Sequence, residues 1–390
     1  MKQKCTRALS MFFATIFFLL AAHPLTASAL SAEQDAHEAV ASLSAQSFLL
    51  MDADTGKILS SRNAEARLPM ASTTKIMTCI VALESAIVGD PVIIPAAAVG
   101  IEGSSMYLTA GEKLTLLDLL YGLMLESAND AAVSIALHIS GSIESFAERM
   151  NEKASVLGMN NTHFVNPHGL PVEDHYSTAY DMALLMRYCM QNDLFAEIAG
   201  TQTKSIPASN GKSRYLSNHN RLLRSYSGCV AGKTGYTKVA GRCLVTAAKR
   251  DGKTLICTTL SAPNDWSDHK SLFEYGFSLY SMRTLAEPGE ISIEIPVVGG
   301  TLDSIIVCNL SGLSLSLREE ERVNVFVELP SFVYAPVLAE QSIGEAVFFI
   351  DEAEVARLPL TAKNNVNLRP VELSFWQKVW KIIKSWFGKE

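Results

Sequence analysis

Cysteine pairs at metal-binding spacing are missing from this chain. Its seven cysteines are scattered, with no C-x-x-C and no short Cys/His spacing, which argues against a structural zinc site or any other bound metal. Basic clusters are missing before the C-terminus. With a net charge of −7 the chain lacks the cationic face that nucleic acid requires, which excludes a nucleic-acid partner. No apolar run reaches the ~20 residues needed to span a bilayer. There is no internal repeat and no low-complexity linker. What is present is 390 residues, 48% of them hydrophobic, ample for a sizeable core and too long for one average domain.

The first residues read as a leader. Lys2, Lys4 and Arg7 precede an apolar stretch over 8–22, and Pro24 then leads into Ala27-Ser28-Ala29. A positive start, a short apolar segment and an A-x-A site are the pattern of a secretory signal peptide, with cleavage expected after Ala29. Residues 1–29, including Cys5, are therefore set apart from the fold. Export permits disulfides. Cys79, Cys189, Cys229, Cys243, Cys257 and Cys308 nonetheless sit mostly in apolar contexts and read as buried thiols, with Cys243 and Cys257 placed where they could face each other across a hairpin.

Strands open and close the next region and helices fill its middle. Ser47 to Met51 reads as a strand, Asp54-Thr55-Gly56 as a turn, and Lys57 to Ser60 as the return strand. From Ser72 the apolar positions Ile76, Cys79, Ile80 and Leu83 follow helical spacing. Thr115 to Asp118 is a capping box that opens an apolar helix to Leu125. Ser127-Ala128-Asn129 interrupts it, and a second apolar helix runs to Gly141. Helices are expected again over 143–157, 178–190 and 267–281. The runs 244–248 and 254–260 flank Asp251-Gly252, a strong hairpin signal. Past Met282 the texture changes to short strand candidates at 291–295, 304–307, 323–327 and 346–350, which predicts a separate small all-β sandwich. In the last segment Trp376, Val379, Trp380, Ile383, Trp386 and Phe387 share one helical face and Lys378, Lys381 and Lys384 lie largely on the other. Such a helix suits the plane of a membrane interface.

Three short motifs carry chemistry. Ser72-Thr73-Thr74-Lys75 is S-x-x-K, Ser127-Ala128-Asn129 is S-x-N, and Lys233-Thr234-Gly235 is K-T-G. Each alone is an ordinary cap or turn; together and in this order they are a strong signal. The i, i+3 spacing sets Lys75 beside Ser72. A serine hydroxyl needs a neighbouring base, and a lysine serves only if its pKa falls far below ~10.4, through burial or a second cation such as Lys233. Ser127 is placed to relay a proton, and Asn129 to grip a substrate amide. Gly235 allows another backbone to approach the strand, and a substrate peptide could lie alongside as an added strand. The N–H groups of Ser72 and Tyr236 would stabilise an oxyanion, and Lys233, Thr234 and Thr237 could bind a carboxylate.

These motifs, with Tyr121 to Ala132, Asn166-Pro167-His168-Gly169-Leu170, Tyr176 to Ala179, Asp181-Met182-Ala183 and Lys233 to Thr237, resemble the low-molecular-mass serine penicillin-binding D-alanyl-D-alanine carboxypeptidases. The longer stretches look most similar to sporulation-associated members from endospore-forming bacteria. The resemblance implies an α+β catalytic domain of the penicillin-recognising serine type over 30–281, an antiparallel sheet flanked by helices with a helical subdomain. An all-β domain over 282–370 and an amphipathic membrane-associating helix over 371–390 would follow. It implies Ser72 as acylated nucleophile, Lys75 as base, and Ser127 in proton transfer. Asn129, Lys233, Thr234, Gly235, Tyr236 and Thr237 would bind substrate. No cofactor is implied. The expected partners are peptidoglycan stem peptides, β-lactam antibiotics as covalent inhibitors, and the membrane surface through the last helix. The expected location is the outer face of the cytoplasmic membrane or the cell-wall space. His168 reads as a loop-packing residue. Some members place an arginine after the last hairpin strand to meet the substrate's carboxylate; here 262–270 has none, which leaves Thr234, Thr237 or His269. A serine β-lactamase, a peptidoglycan endopeptidase or transpeptidase, and a catalytically silent wall-binding or antibiotic-sensing protein are the alternatives. Against the first, 162–170 has no glutamate, Glu173 being the nearest.

Overall fold

The structure, a computed structural model, describes residues 40, 42–208, 211–350, 352–370 and 375–387; the leader expected over 1–29 lies outside them. The chain divides into two compact units between Ser281 and Met282.

The strands of the first unit are β1 (Ser47–Asp52), β2 (Ile58–Arg62), β3 (Pro91–Ile93), β4 (Lys113–Thr115), β5 (Thr203–Pro207), β6 (Ser213–Ser217), β7 (Cys229–Thr237), β8 (Gly241–Arg250) and β9 (Lys253–Leu260). Five of them form one antiparallel sheet in the order β2-β1-β9-β8-β7; β3 pairs β4 and β5 pairs β6 as separate hairpins. The helices are α1 (Lys75–Ser85), α2 (Leu116–Leu125), α3 (Asn129–Ser140), α4 (Ile143–Val156), α5 (Ala179–Cys189), α6 (Asp193–Gly200), the single turn α7 (Leu222–Ser225) and α8 (Asp265–Ser278).

The sheet is covered on both faces, and the period of two along its strands sorts the side chains. On β1, Leu49 and Met51 join the large core built with α1 to α6, whereas Phe48 and Leu50 join a smaller core with Leu272, Phe273 and Phe277 of α8. Burial on both sides explains why β1 is apolar without a break from Phe48 to Met51. The β8–β9 turn sets Asp251 at φ 48° and Gly252 at φ 79°, the two left-handed residues that a tight hairpin requires. At the start of α2, the Thr115 side chain caps the Asp118 N–H and the Asp118 carboxylate returns to Thr115.

Two readings are corrected. Cys243 and Cys257 do not face each other: the register places Cys257 opposite Thr246 and Cys243 opposite Gly235, and all six described cysteines are free thiols. The helix expected from Ser72 begins instead with a 3-10 turn over Ala71–Thr74, and the α-helix starts at Lys75.

The second unit holds β10 (Ser281–Ala286), β11 (Ser292–Val298), β12 (Ser304–Cys308), β13 (Leu313–Leu317), β14 (Val323–Glu328), β15 (Val333–Tyr334), β16 (Ser342–Ile350) and β17 (Ala353–Ala362). A six-stranded sheet runs β14-β16-β17-β12-β11-β15, with only the β11–β15 pair parallel, and β10 pairs β13 in a two-stranded ribbon. Alternation puts Ala346, Phe348 and Ile295 into one core with Ala286 from the ribbon. Helix α9 (Phe375–Phe387) follows, with Trp376 73% and Trp380 63% exposed. Among the described residues no helix is long and apolar enough to cross a membrane.

Candidate active site

The 3-10 turn over Ala71–Thr74 carries Ser72 up to edge strand β7. Gly235 makes that contact possible: a Cβ there would lie 3.0 Å from the Ser72 nitrogen and 3.0 Å from the Met70 oxygen. The backbone that Gly235 admits is thus the serine's own turn. Ala71, just before Ser72, holds φ 47°, a costly value for alanine that the packing around it must sustain.

One turn on, Lys75 is completely buried. Its Nζ lies 2.9 Å from Ser72 Oγ, 2.7 Å from Asn129 Oδ1 and 2.6 Å from the His168 carbonyl oxygen. Burial, and then the charge of Lys233, hold its pKa well below the ordinary lysine value; Asp130 pulls weakly the other way. A neutral amine has two N–H groups and one lone pair. Asn129 Oδ1 and the His168 carbonyl can only accept, so they take the two N–H groups. The lone pair is left facing Ser72.

Between α2 and α3 the chain stops for Ser127, at φ 60°. This left-handed residue aims its hydroxyl at Lys233, whose Nζ donates to Ser127 Oγ at 2.9 Å and to the Thr234 carbonyl at 2.9 Å. Burial brings the Lys233 pKa down to about 7. Ser72, Ser127, Thr234, Gly235 and Tyr236 line one cleft of about 490 Å³.

Asn129 and Thr237, expected to bind substrate, are not among the residues that line this cleft. Asn129 is 3% exposed, and both ends of its amide are engaged, Oδ1 by Lys75 and Nδ2 by the Glu102 carbonyl at 2.5 Å. Its contacts position the lysine and do not face the cleft. Thr237 lines a separate cavity of about 310 Å³ with Ala71, Gly169 and Val239, and its hydroxyl accepts from the Ala240 N–H. The exposed Glu173 lines that second cavity too. His269 is excluded as a carboxylate ligand: it is completely buried, its ring nitrogens 2.7 Å from Thr246 Oγ1 and 3.0 Å from Thr259 Oγ1, and burial lowers its pKa to about 3.

The 166–170 loop contributes something that side-chain reasoning missed. Asn166 Oδ1 accepts from the N–H groups of His168 and Gly169, and its Nδ2 donates to the Leu170 carbonyl. This ties the loop into a compact turn that points the His168 carbonyl at Lys75. Gly169, at φ 87°, presses against the Ala71 carbonyl so closely that a Cβ would collide with it. The His168 imidazole is held neutral, its pKa lowered to about 3 by burial, Lys75 and His175. The main chain of His168 serves the site, not its ring. An Asn followed three residues on by Gly was the available signal.

A cleft serine with a buried lysine against its hydroxyl, and a second cleft serine held by a second buried lysine, mark the site of a serine hydrolase. Residues 32–264 match the D-alanyl-D-alanine carboxypeptidase family of serine peptidases, and residues 280–368 match the C-terminal domain of penicillin-binding protein 5. The chain is 32% identical over 333 residues to the D-alanyl-D-alanine carboxypeptidase DacF of Bacillus subtilis, covering 83% of this chain and 86% of that one. It superimposes on the crystal structure of the carboxypeptidase DacD from Francisella tularensis with a TM-score of 0.60 at 28% identity, over 84% of this chain and 95% of that one. Penicillin-binding protein 5 from Haemophilus influenzae gives 0.59 at 28%, over 83% and 98%. The chain belongs to the D-alanyl-D-alanine carboxypeptidase family, and its two-unit architecture is that of the penicillin-binding protein 5 type.

Proposed function

We propose that this enzyme removes the terminal D-alanine from peptidoglycan stem pentapeptides through an ester on Ser72, with Lys75 as the base. The observation that carries the reading is the Lys75 environment: its Nζ is 2.9 Å from Ser72 Oγ, and two acceptors at 2.7 and 2.6 Å would take the N–H groups of the neutral amine and leave its lone pair on the Ser72 side. In acylation, Ser72 Oγ bonds to the carbonyl carbon of the penultimate residue and its proton passes to Lys75. The carbon–nitrogen bond to the terminal D-alanine then breaks, and the leaving amine takes a proton through Ser127, which Lys233 holds in place. The N–H groups of Ser72 and Tyr236 receive the developing oxyanion. Water then attacks the ester and frees Ser72. A β-lactam follows the first half of this path and stays attached. The test is release of D-alanine from a pentapeptide by the full chain, and its loss in Ser72→Ala. An enzyme that released D-alanine without Ser72 would overturn the assignment.

The location is part of the same proposal. The leader pattern over 1–29 supports export, and the exposed tryptophans of α9 beside Lys378 and Lys381 support attachment to the membrane surface in the helix plane. The enzyme would then work at the outer face of the cytoplasmic membrane, on its wall substrate.

A further inference from the structure

A carboxypeptidase must recognise a free terminal carboxylate, and a carboxylate is held best by a cation that offers two parallel donors. Neither active-site lysine is such a partner. Lys75 and Lys233 are completely or almost completely buried and are spent on Ser72, Asn129, Ser127 and two main-chain carbonyls. Three arginines line the cleft: Arg221, Arg224 and Arg242. Arg224 is exposed and tied to the Asn218 carbonyl. Arg221 is exposed, at the start of the single turn α7, and nothing among the described residues fixes its head.

Arg242 differs from both. It sits on β8 directly opposite Tyr236 of β7, beside the strand whose Thr234 and Tyr236 line the cleft with Ser72. Its Nε donates to Asp265 Oδ1 at 2.9 Å, and its guanidinium carbon lies over the Trp266 ring, 5.5 Å from the centroid. The bond to Asp265 uses the Nε side of the guanidinium. The outer edge, with both terminal nitrogens, has no protein acceptor among the described residues, and the side chain remains 40% exposed. Asp265 does not cancel this charge at the cleft. It lines the same cleft but is only 2% exposed, also accepts the Trp266 N–H at 2.9 Å, and stands in the first turn of α8, where a helix N-terminus favours an anion. The result is a two-pronged donor in the substrate cleft, held at Nε and half-exposed, with part of its orientation cost met before binding.

We propose that Arg242 holds the terminal carboxylate of the peptide, with Asp265 and Trp266 as positioning residues. The inference rests on the acyl-Ser72 reading above and adds the residue that sets its preference for a free C-terminus. It also accounts for the lack of arginine in 262–270: the cation comes from β8, and that stretch supplies the acid and the ring that hold it.

The test compares a diacylated L-Lys-D-Ala-D-Ala with its C-terminal amide on the full chain. The wild type prefers the acid. Arg242→Gln lowers kcat/KM for the acid by about 10²-fold, the size expected for loss of a charge-assisted pair, and leaves the amide within about threefold. The double variant Arg242→Gln/Asp265→Asn avoids leaving a buried carboxylate unpaired and shows the same loss of preference. An acid preference that survives in Arg242→Gln, or that disappears in Arg221→Gln instead, overturns the proposal. An equal fall for acid and amide in both Arg242 variants also overturns it, because it marks a purely structural role. A wild type inactive on both substrates would instead refute the carboxypeptidase reading itself.

Discussion

Lys75 Nζ lies 2.9 Å from Ser72 Oγ, while the two acceptors that take its N–H groups, Asn129 Oδ1 and the His168 carbonyl, stand 54 and 93 positions away in the chain. The nucleophile and base are close because they share one turn. The base is oriented because a helix start and a loop converge on it.

Replacing Lys75 by Met keeps the stem and removes the amine. Penicillin labelling of Ser72 should slow by about 10³-fold, within the range for losing a general base. The folded protein should melt within a few degrees of the wild type, since a buried amine favours burial less than a thioether does. Labelling kinetics and calorimetry on the same sample check this; wild-type labelling would remove Lys75 from the mechanism.

Lys233 couples stability to pH. Its folded pKa is lowered from 10.5 to about 7 by burial, so between those values the unfolded chain binds more protons than the folded one. Stability from this group therefore rises as pH climbs from about 7 towards 10.5, and the penalty is fully present below about 7. Denaturant titrations across that range should show the rise in the wild type and a flatter profile in Lys233→Met. Parallel profiles would place the Lys233 charge elsewhere in the titration.

At 168 and 169 the expected effects invert the usual ranking of histidine over glycine. His168→Asn keeps the carbonyl that Lys75 uses and should stay within about fivefold of wild-type turnover. Gly169→Ala must leave φ 87° or collide with the Ala71 carbonyl. It should cost about 1–3 kcal/mol of stability and at least tenfold in acylation. Turnover and melting of the two variants check the pair.

If α9 attaches the protein to membranes as proposed, removal of residues 374–390 should shift it into the soluble fraction and leave D-alanine release unchanged. Sedimentation of the truncated chain with vesicles rich in anionic lipid would show that another surface makes the attachment.

Much of this was legible in the sequence, for identifiable reasons. Asp251-Gly252 and the Thr115–Asp118 box are local signals, and both stand as read. The three motifs are short and ordered, and the chemistry follows from residue types. What was missed depends on distant partners. The hairpin β5–β6 has polar outward positions and no apolar run to betray it. His269 sat near the cleft in sequence, but helix α8 turns it inward between β8 and β9. The role of the His168 carbonyl was invisible because any residue offers a carbonyl; only the Asn166 turn aims it. Arg242 carries no signal of its own in the sequence; only the fold brings Asp265 and Trp266 against it.

The most direct measurement is the intact mass of the protein after exposure to benzylpenicillin, followed by peptide mapping. One added penicillin on the peptide that contains Ser72, absent in Ser72→Ala, is the expected result. An adduct that persists in Ser72→Ala, or maps to another serine, would contradict the central claim that Ser72 is the hydroxyl activated by Lys75.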